Sequence, residues 1–499
     1  MTGGIMQLAA YGAQDIYLTG NPLITYFKVV YRRHTNFSIE SIEQTFNGRA
    51  DFGTEVISLL GRHGDLIHKI CLQATLPDLQ YSSPGNSPDL EILRWTDDIG
   101  HHLIREVSVD IGGQSIDRQY VDWLEIWAQL TVPAGQSIGY REMIGQDPRN
   151  ALGMNTGLQA DLACAGTRTA IPGRTIYVPL QFWFCRNVGM SIPLIALQYH
   201  EVVIRLKLRP LSDLVVSLDS GDPTASTPID ATRTPVGSLL DVALWVDYIY
   251  LDTDERRRFA QVPHEYLIEQ VQYNGEDTSP DGSDLSINLA FNHPVKELIW
   301  VAQFSAATTG PSRQWSNYTN ISPVLTFVRT NGLAVDNLGL LKYNLSTDTT
   351  DATDATTTPY NIRSFGNQSY SRPPGGINPI ATAKLRMNGY DRMAQRPGTY
   401  FNLVQTRQSH TNIPNSPGIN VYSFAFDPEG HQPSGACNFS RLDTAKLVLS
   451  FNQGAKATGL LNNCVAADFS SCSIKVRVYA LSYNILRIMG GMGGVAYSA

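Results

Sequence analysis

Residues 107–127 read VSVDIGGQSIDRQYVDWLEIW, and residues 383–404 read AKLRMNGYDRMAQRPGTYFNLV. Each stretch opens on a short alternating run, reaches a glycine turn and closes on an aromatic cluster. With Gly112 set on Gly389, Ile116 falls on Met393, Trp123 on Tyr400, Leu124 on Phe401 and Ile126 on Leu403 without a gap. Four further echoes keep the same order. IEQTFNG from Ile42 answers IEQVQYNG from Ile268, with a one-residue difference that a β-bulge must absorb. LIHKICLQA (66–74) answers VKELIWVAQ (295–303), and PLIALQYHEVVIRLKL (193–208) answers PSGACNFSRLDTAKLVLS (433–450). VALWVDYIYL (242–251) answers IKVRVYALSY (474–483). Collinear echoes in a 499-residue chain, too long for one core, mean a duplicated domain.

The duplicated unit is built of strands. Ile204, Leu206 and Leu208 alternate with Arg205, Lys207 and Arg209, and Ile474, Val476 and Val478 with Lys475, Arg477 and Tyr479. A period of two with charges on one face is a half-buried strand. Asn47-Gly48, Gly112-Gly113, Asn274-Gly275 and Asn388-Gly389 follow such runs and suit tight hairpins. Helical patterns are few: DWLEIWAQL (122–130) fits helix or strand, and DTDERRRFA (252–260) fits one helical turn between domains. About eight strand candidates per copy, with long crossing loops, predict an all-β chain of two tandem eight-stranded antiparallel jelly rolls. An immunoglobulin sandwich has closer turn spacing and fits less well. The copies differ in their loops. The second carries a long insertion at 305–382, which includes NLSTDTTDATDATTTP (344–359), and the first carries long loops at 131–170 and 218–238. Loops on a constant scaffold are where such chains display function.

Net charge is −7, and the one basic run is Arg256-Arg257-Arg258, so direct nucleic-acid binding lacks its electrostatic footprint. Only 17% of residues are charged, which suits a chain whose faces are covered by neighbours. The six cysteines show no C-x-x-C spacing; Cys71 and Cys185 sit in apolar runs and read as reduced, buried thiols of a reducing compartment. MTGGIMQLAAYGAQD has no signal-peptide pattern, and no apolar window predicts a transmembrane segment.

Chemistry is sparse. GQSIG (135–139) offers Ser137 as a nucleophile, but it lacks the preceding buried strand that a nucleophile elbow needs. His101 and His102 are adjacent, so on a strand they point to opposite faces and make no metal pair; His102 and Glu106 could meet only on a helix. Asp117, Asp122 and Glu125 lie among Tyr120, Trp123 and Trp127, which read either as a sugar platform or as core aromatics with a solvated acidic face. No catalytic, metal or cofactor residues are expected, and no enzyme. Sequons occur at Asn36, Asn317, Asn320, Asn344, Asn367 and Asn438. Asn317, Asn320, Asn344 and Asn367 fall in the long insertion and are the candidate glycosylation acceptors.

GGIMQLAAYGAQDIYLTGNPLITYFKVVYRRHTNFSIE (3–40), KLRMNGYDRMAQRPGTYFNLVQ (384–405) and YNILRIMGGMGGVAYS (483–498) resemble segments of the major capsid proteins of nucleocytoplasmic large DNA viruses, the group of iridoviruses, phycodnaviruses, marseilleviruses and mimivirus-like viruses. The resemblance implies a double jelly roll, and a homotrimeric, pseudo-hexameric capsomer that tiles the icosahedral shell of a large double-stranded DNA virus. Its implied partners are the chain itself, neighbouring capsomers and minor capsid proteins at the base; its implied location is the virion, after assembly in the host cytoplasm. It implies an N-terminal arm (1–24) anchored by Met6, Leu8, Tyr11, Ile16 and Tyr17, a first roll (25–257), a second roll (258–486) whose insertion forms an outward tower, and a C-terminal tail (487–499). The alternatives are a jelly-roll protein that binds or cleaves carbohydrate, through Trp123 and Trp127, and a receptor-binding spike, for which coiled-coil heptads are lacking.

Overall fold

Eight strands form the two main sheets of the first half of the chain, beside five shorter ones: β1 (Phe37–Gln44), β2 (Glu55–Leu59), β3 (Leu66–Leu76), β4 (Ile104–Ile111), β5 (Gln114–Tyr120), β6 (Arg174–Pro179), β7 (Val202–Leu208) and β8 (Leu240–Leu251). They form two antiparallel sheets, ordered β1-β8-β3-β6 and β2-β7-β4-β5. The second half repeats the plan with β9 (His264–Ser279), β10 (Leu285–Asn288), β11 (Pro294–Phe304), β12 (Ile380–Met387), β13 (Tyr390–Asp391), β14 (Ile419–Ser423), β15 (Ala445–Phe451) and β16 (Ile474–Met489), ordered β9-β16-β11-β14 and β10-β15-β12-β13. Strand for strand the order is the same, so the chain is two jelly rolls in tandem. These elements come from a computed structural model that describes residues 3–78, 80–81, 91–96, 98–145, 173–219, 235–280, 282–308, 315–319, 378–452 and 473–497. Among them no helix is long and apolar enough to cross a membrane.

Most strands keep the alternation that their sequence sets. In β7, Val202, Ile204, Leu206 and Leu208 point into the first core while Arg205 points out. In β15, Ala445, Leu447, Leu449 and Phe451 fill the second core, beneath Trp300 and Phe401, whose rings lie 5.1 Å apart. Two strands break the rule: β11 is buried on both faces after its first residue, and β16 is buried over most of its length. Burying both faces at once takes a cover on each side, and the first roll supplies the second one.

The pairing also corrects the repeat. Core-facing residues are Ile70, Leu72 and Ala74 in β3 and Leu298, Trp300 and Ala302 in β11. Leu72 therefore matches Trp300, where the gapless reading set it on Val301. That one-residue slip moves every side chain to the opposite face. The expected bulge is present in β9, where pairing with β16 shifts between Tyr273 and Glu276 around Gly275, at φ +96°.

Residues 122–130 belong to helix α1 (Val121–Thr131), and 253–261 to helix α2 (Thr253–Gln261), longer than a single turn and capped by the Asp252 carboxylate, which accepts from the Thr253 amide at 2.8 Å. The second roll's counterpart of α1 is a π-helical turn (Tyr400–Gln405) that runs into a short helix (Thr406–Ser409). At the C-terminal end, residues 487–489 continue β16. Gly490 and Gly491 then turn at φ +60° and +83°, and β17 (Met492–Val495) folds back as a hairpin. The expected tail thus packs on the first roll: the Tyr199 amide donates to Gly491 O at 2.9 Å, and a Cβ on Gly493 would lie 2.7 Å from Leu197.

The turns after β4 and β12 give a test of local backbone demand. Gly112 sits at φ +59°, and a Cβ there would lie 2.3 Å from His200 Nδ1; Gly389 sits at φ +82° with nothing within 4 Å of that position. Gly389→Ala should cost only the left-handed backbone strain, ~1–2 kcal/mol. Gly112→Ala should add ~1–3 kcal/mol of overpacking. Calorimetry should show the larger fall in Tm for Gly112→Ala; equal falls would show that His200 yields freely.

Candidate assembly surfaces

α1 carries two apolar stripes. Leu124 faces the first core, while Trp123, Ile126, Trp127 and Leu130, at helical spacing, face the other way. Those four pack on the outer face of the second roll's β9-β16-β11-β14 sheet, against Val271, Ile299, Val301, Val421, Tyr479 and Leu481. Trp123 stacks on Trp127 with ring centres 5.4 Å apart and meets Tyr479 at 5.8 Å. This seam is why β11 and β16 are apolar on both sides.

Charge crosses the same seam. Arg477 Nε lies 2.6 Å from Asp122 Oδ2, and the guanidinium also reaches Gln303 and, at 3.5 Å, Glu276. Burial acts to discharge Arg477, but Asp122 and the other anionic groups outweigh it and hold the side chain above the usual arginine pKa. Arg186 of the first roll reaches Glu269 of β9 at 2.8 Å while its guanidinium lies over the Trp127 ring at 4.0 Å. Glu269 also holds Lys296, whose pKa burial lowers. Asp117 accepts from the Val271 amide at 3.1 Å, and burial raises its pKa to about 6 against that bond.

Two buried histidines complete the seam. His101 Nδ1 lies 2.6 Å from Glu125 Oε2, and its other ring nitrogen lies 2.9 Å from the Tyr140 hydroxyl. Burial would raise the Glu125 pKa, but the hydrogen bond and charge of His101 outweigh it and bring it to about 2. His410 stands between Glu297 at 2.9 Å and Glu429 at 2.8 Å, edge-on to Trp127. Burial disfavours its charged form, yet the two carboxylates raise its pKa to about 9. The loop it anchors donates from the Asn412 amide to Leu130 O at 3.0 Å and from the Ser416 amide to Gln129 Oε1 at 3.1 Å. Residues 315 and 316 of the long insertion dock here too: Trp315 lies under Arg209 at 3.7 Å, and Ser316 Oγ lies 2.7 Å from His102 Nε2.

The second surface is the arm. No residue from 3 to 36 is buried, and Leu23 and Phe27 are each 98% exposed. This unpacked stretch extends beyond residue 24 up to β1. Met6, Leu8, Tyr11, Ile16 and Tyr17 are all exposed. So many uncovered apolar side chains mark a contact surface.

Several sequence expectations change. Trp123 is 0% and Trp127 4% exposed, so neither forms a sugar platform, and Asp117, Asp122 and Glu125 are buried rather than solvated. His101 and His102 lie in a helical turn (Ile99–Leu103), not on a strand, and both are buried. Glu106 faces outward to Arg118 and Lys207. Ser137 opens a short helix (Ser137–Met143), and its hydroxyl donates to Ala134 O at 2.8 Å; no strand precedes it. Among the described residues no group of three His, Cys, Asp or Glu side chains is placed to hold a metal ion. Cys71 and Cys185 are free thiols that burial pushes up to about 12. Asn317 is 9% exposed, and its side-chain oxygen accepts from the Thr319 amide and hydroxyl, so it faces inward. Asn320, Asn344 and Asn367 lie outside the described residues. The seam itself was missed, though acids set inside an aromatic stripe were its signal.

Removing one partner of the central pair should be costly. Arg477→Met leaves Asp122 buried without its counter-ion and should lose ~3–5 kcal/mol in urea unfolding, with part of the loss recovered on adding Asp122→Leu. A loss below ~1 kcal/mol would show the pair to be idle. His410 has a folded pKa of about 9, above its ordinary ~6.5, so its stabilisation is fully present below pH ~6.5 and is lost as pH rises through about 9. Tm should fall over that window in the wild type and lack that slope in His410→Gln; parallel curves would rule the clamp out.

Comparison with known proteins agrees with this architecture. Residues 25–252 match the family described as "Major capsid protein N-terminus", and residues 255–494 match "Large eukaryotic DNA virus major capsid protein". The chain is 45% identical to the major capsid protein of Phaeocystis pouchetii virus and 37% identical to that of Paramecium bursaria Chlorella virus 1, with all of each chain covered in both cases. It superposes on the capsid chain of a quasi-atomic model of the PBCV-1 virus with a TM-score of 0.66 at 33% identity, over 95% of this chain and 100% of that one. The Faustovirus major capsid protein, at 14% identity, shares the fold with a TM-score of 0.66 over 97% of each chain. The duplicated rolls and these matches agree: the chain belongs to the major capsid proteins of large eukaryotic DNA viruses, structural virion components and not enzymes.

Proposed function

We propose that three copies of the chain close into a ring of six rolls, and that this pseudo-hexameric capsomer tiles an icosahedral shell assembled in the host cytoplasm. The observation that carries this is the identical strand order of the two rolls, joined by a head-to-tail contact in which a helix of one covers a sheet of the other. A heterologous contact that repeats with closing rotation makes a ring, and duplication lets alternate walls differ. The arm, the first roll (25–257), the second roll (258–486) and the C-terminal segment take separate parts. The arm reaches neighbouring capsomers and minor capsid proteins at the base; the tower expected of the 305–382 insertion lies mostly outside the described residues. Each contact is modest, but repetition across a lattice stabilises the shell.

Light scattering on a gel-filtration column should give about 165 kDa, three chains of 55.0 kDa, with a hexagonal outline in negative stain. A folded monomer under all conditions would overturn the reading. Deleting residues 1–36 should leave that particle intact and abolish lattice formation, since no described residue of the arm is buried against the rest of the chain. Loss of the trimer itself would place the arm at the intersubunit contact instead.

A further inference from the structure

The seam leaves one half of a pattern unfilled. Within the chain, α1 of the first roll covers the outer face of the second roll's β9-β16-β11-β14 sheet. The matching face of the first roll, on β1-β8-β3-β6, has no cover among the described residues: Trp245, Cys71 and Gln73 are half-buried on it, Tyr177 is exposed, and Glu43 and Asp247 lie at its charged side. The matching cover, the helical segment Tyr400–Gln405 with Thr406–Ser409, likewise shows an exposed apolar side chain, Val404, at the position of Trp127.

We infer that the Tyr400–Ser409 segment of one copy seats on the outer β1-β8-β3-β6 face of a second copy, repeating between chains the contact that α1 makes within one. This rests on the trimer proposed above and names its interface. Register supports the pairing. Val246 pairs with Ile70, and Ala480 pairs with Leu298; Ile70 and Leu298 are equivalent core positions, so Trp245 is the counterpart of Tyr479. Tyr400 is the counterpart of Trp123. The Trp123–Tyr479 contact inside the chain therefore predicts a Tyr400–Trp245 contact between chains. Trp245 is already oriented, its indole donating to Gln73 Oε1 at 2.7 Å. Charge is compatible: residues 399–413 contain no acid and carry exposed Arg407, while the receiving face presents Glu43 and Asp247 beside one cation, Lys69.

The test uses the full chain. Val404→Asp and Trp245→Lys should each shift the scattering mass from about three chains to one, with thermal melting still cooperative. Tyr390→Asp, on the exposed β12–β13 turn, should leave the trimer unchanged. Tyr400→Cys with Trp245→Cys, made in a Cys71→Ser background because Cys71 is the cross-strand neighbour of residue 245, should give disulfide-linked dimers and trimers on oxidation, and this experiment decides the matter if Trp245→Lys fails to fold. If the wild type is trimeric while Val404→Asp remains so and the cysteine pair links no chains, the interface is elsewhere and only this inference falls. A monomeric wild type would overturn the trimer and the inference together.

Discussion

The architecture depends on a helix that is apolar on two sides. α1 gives Leu124 to its own core and Trp123, Ile126, Trp127 and Leu130 to the neighbouring roll. Take that second stripe away and β11 and β16 would present Ile299, Val301, Tyr479 and Leu481 to water. The charged pair of Asp122 and Arg477 sits in the same contact, where its desolvation is offset by short geometry and by further partners in Gln303 and Glu276. Greasy contact supplies the energy, and the ion pair fixes which orientation of the two rolls is allowed. A slid or rotated seam would leave Arg477 or Asp122 stranded.

The strands were legible because alternation is a local property. Ile204, Leu206 and Leu208 face inward as their spacing demands, and the glycine turn at Gly112 maps onto Gly389 in structure as in sequence. Register was less legible. β11 is apolar on both faces, so nothing local marks which residues face its own core, and Leu72 was set against Val301 instead of Trp300. The acids of 117–125 were misread for a related reason. An acid beside a tryptophan on a short element signals a solvated edge unless its counter-ion is known, and Arg477 lies on the last strand of the other roll. The choice between helix and strand for 122–130 was ambiguous because both patterns place Trp123 and Trp127 together; the chain resolves it only once two surfaces claim the same segment.

The family matches explain why low charge and exposed apolar surface coexist. A monomer with the arm's uncovered side chains would aggregate. In a shell such surfaces are the ones that meet neighbours, and the uncovered outer face of the first-roll sheet and the exposed arm suit that setting. The two rolls thus differ: the second has its outer sheet covered within the chain, and the first does not among the described residues.

The position of β16 has a consequence for synthesis. It is the inner strand between β9 and β11, it carries both Tyr479 and Arg477, and it leads into the hairpin that grips Tyr199 and His200 of the first roll. A nascent chain can therefore complete the first roll early, but it cannot close the seam until residues 474–497 have been made. Until then the second roll lacks a central strand and Trp123 has no Tyr479 to meet. Translation itself thereby sets when the two rolls can lock together.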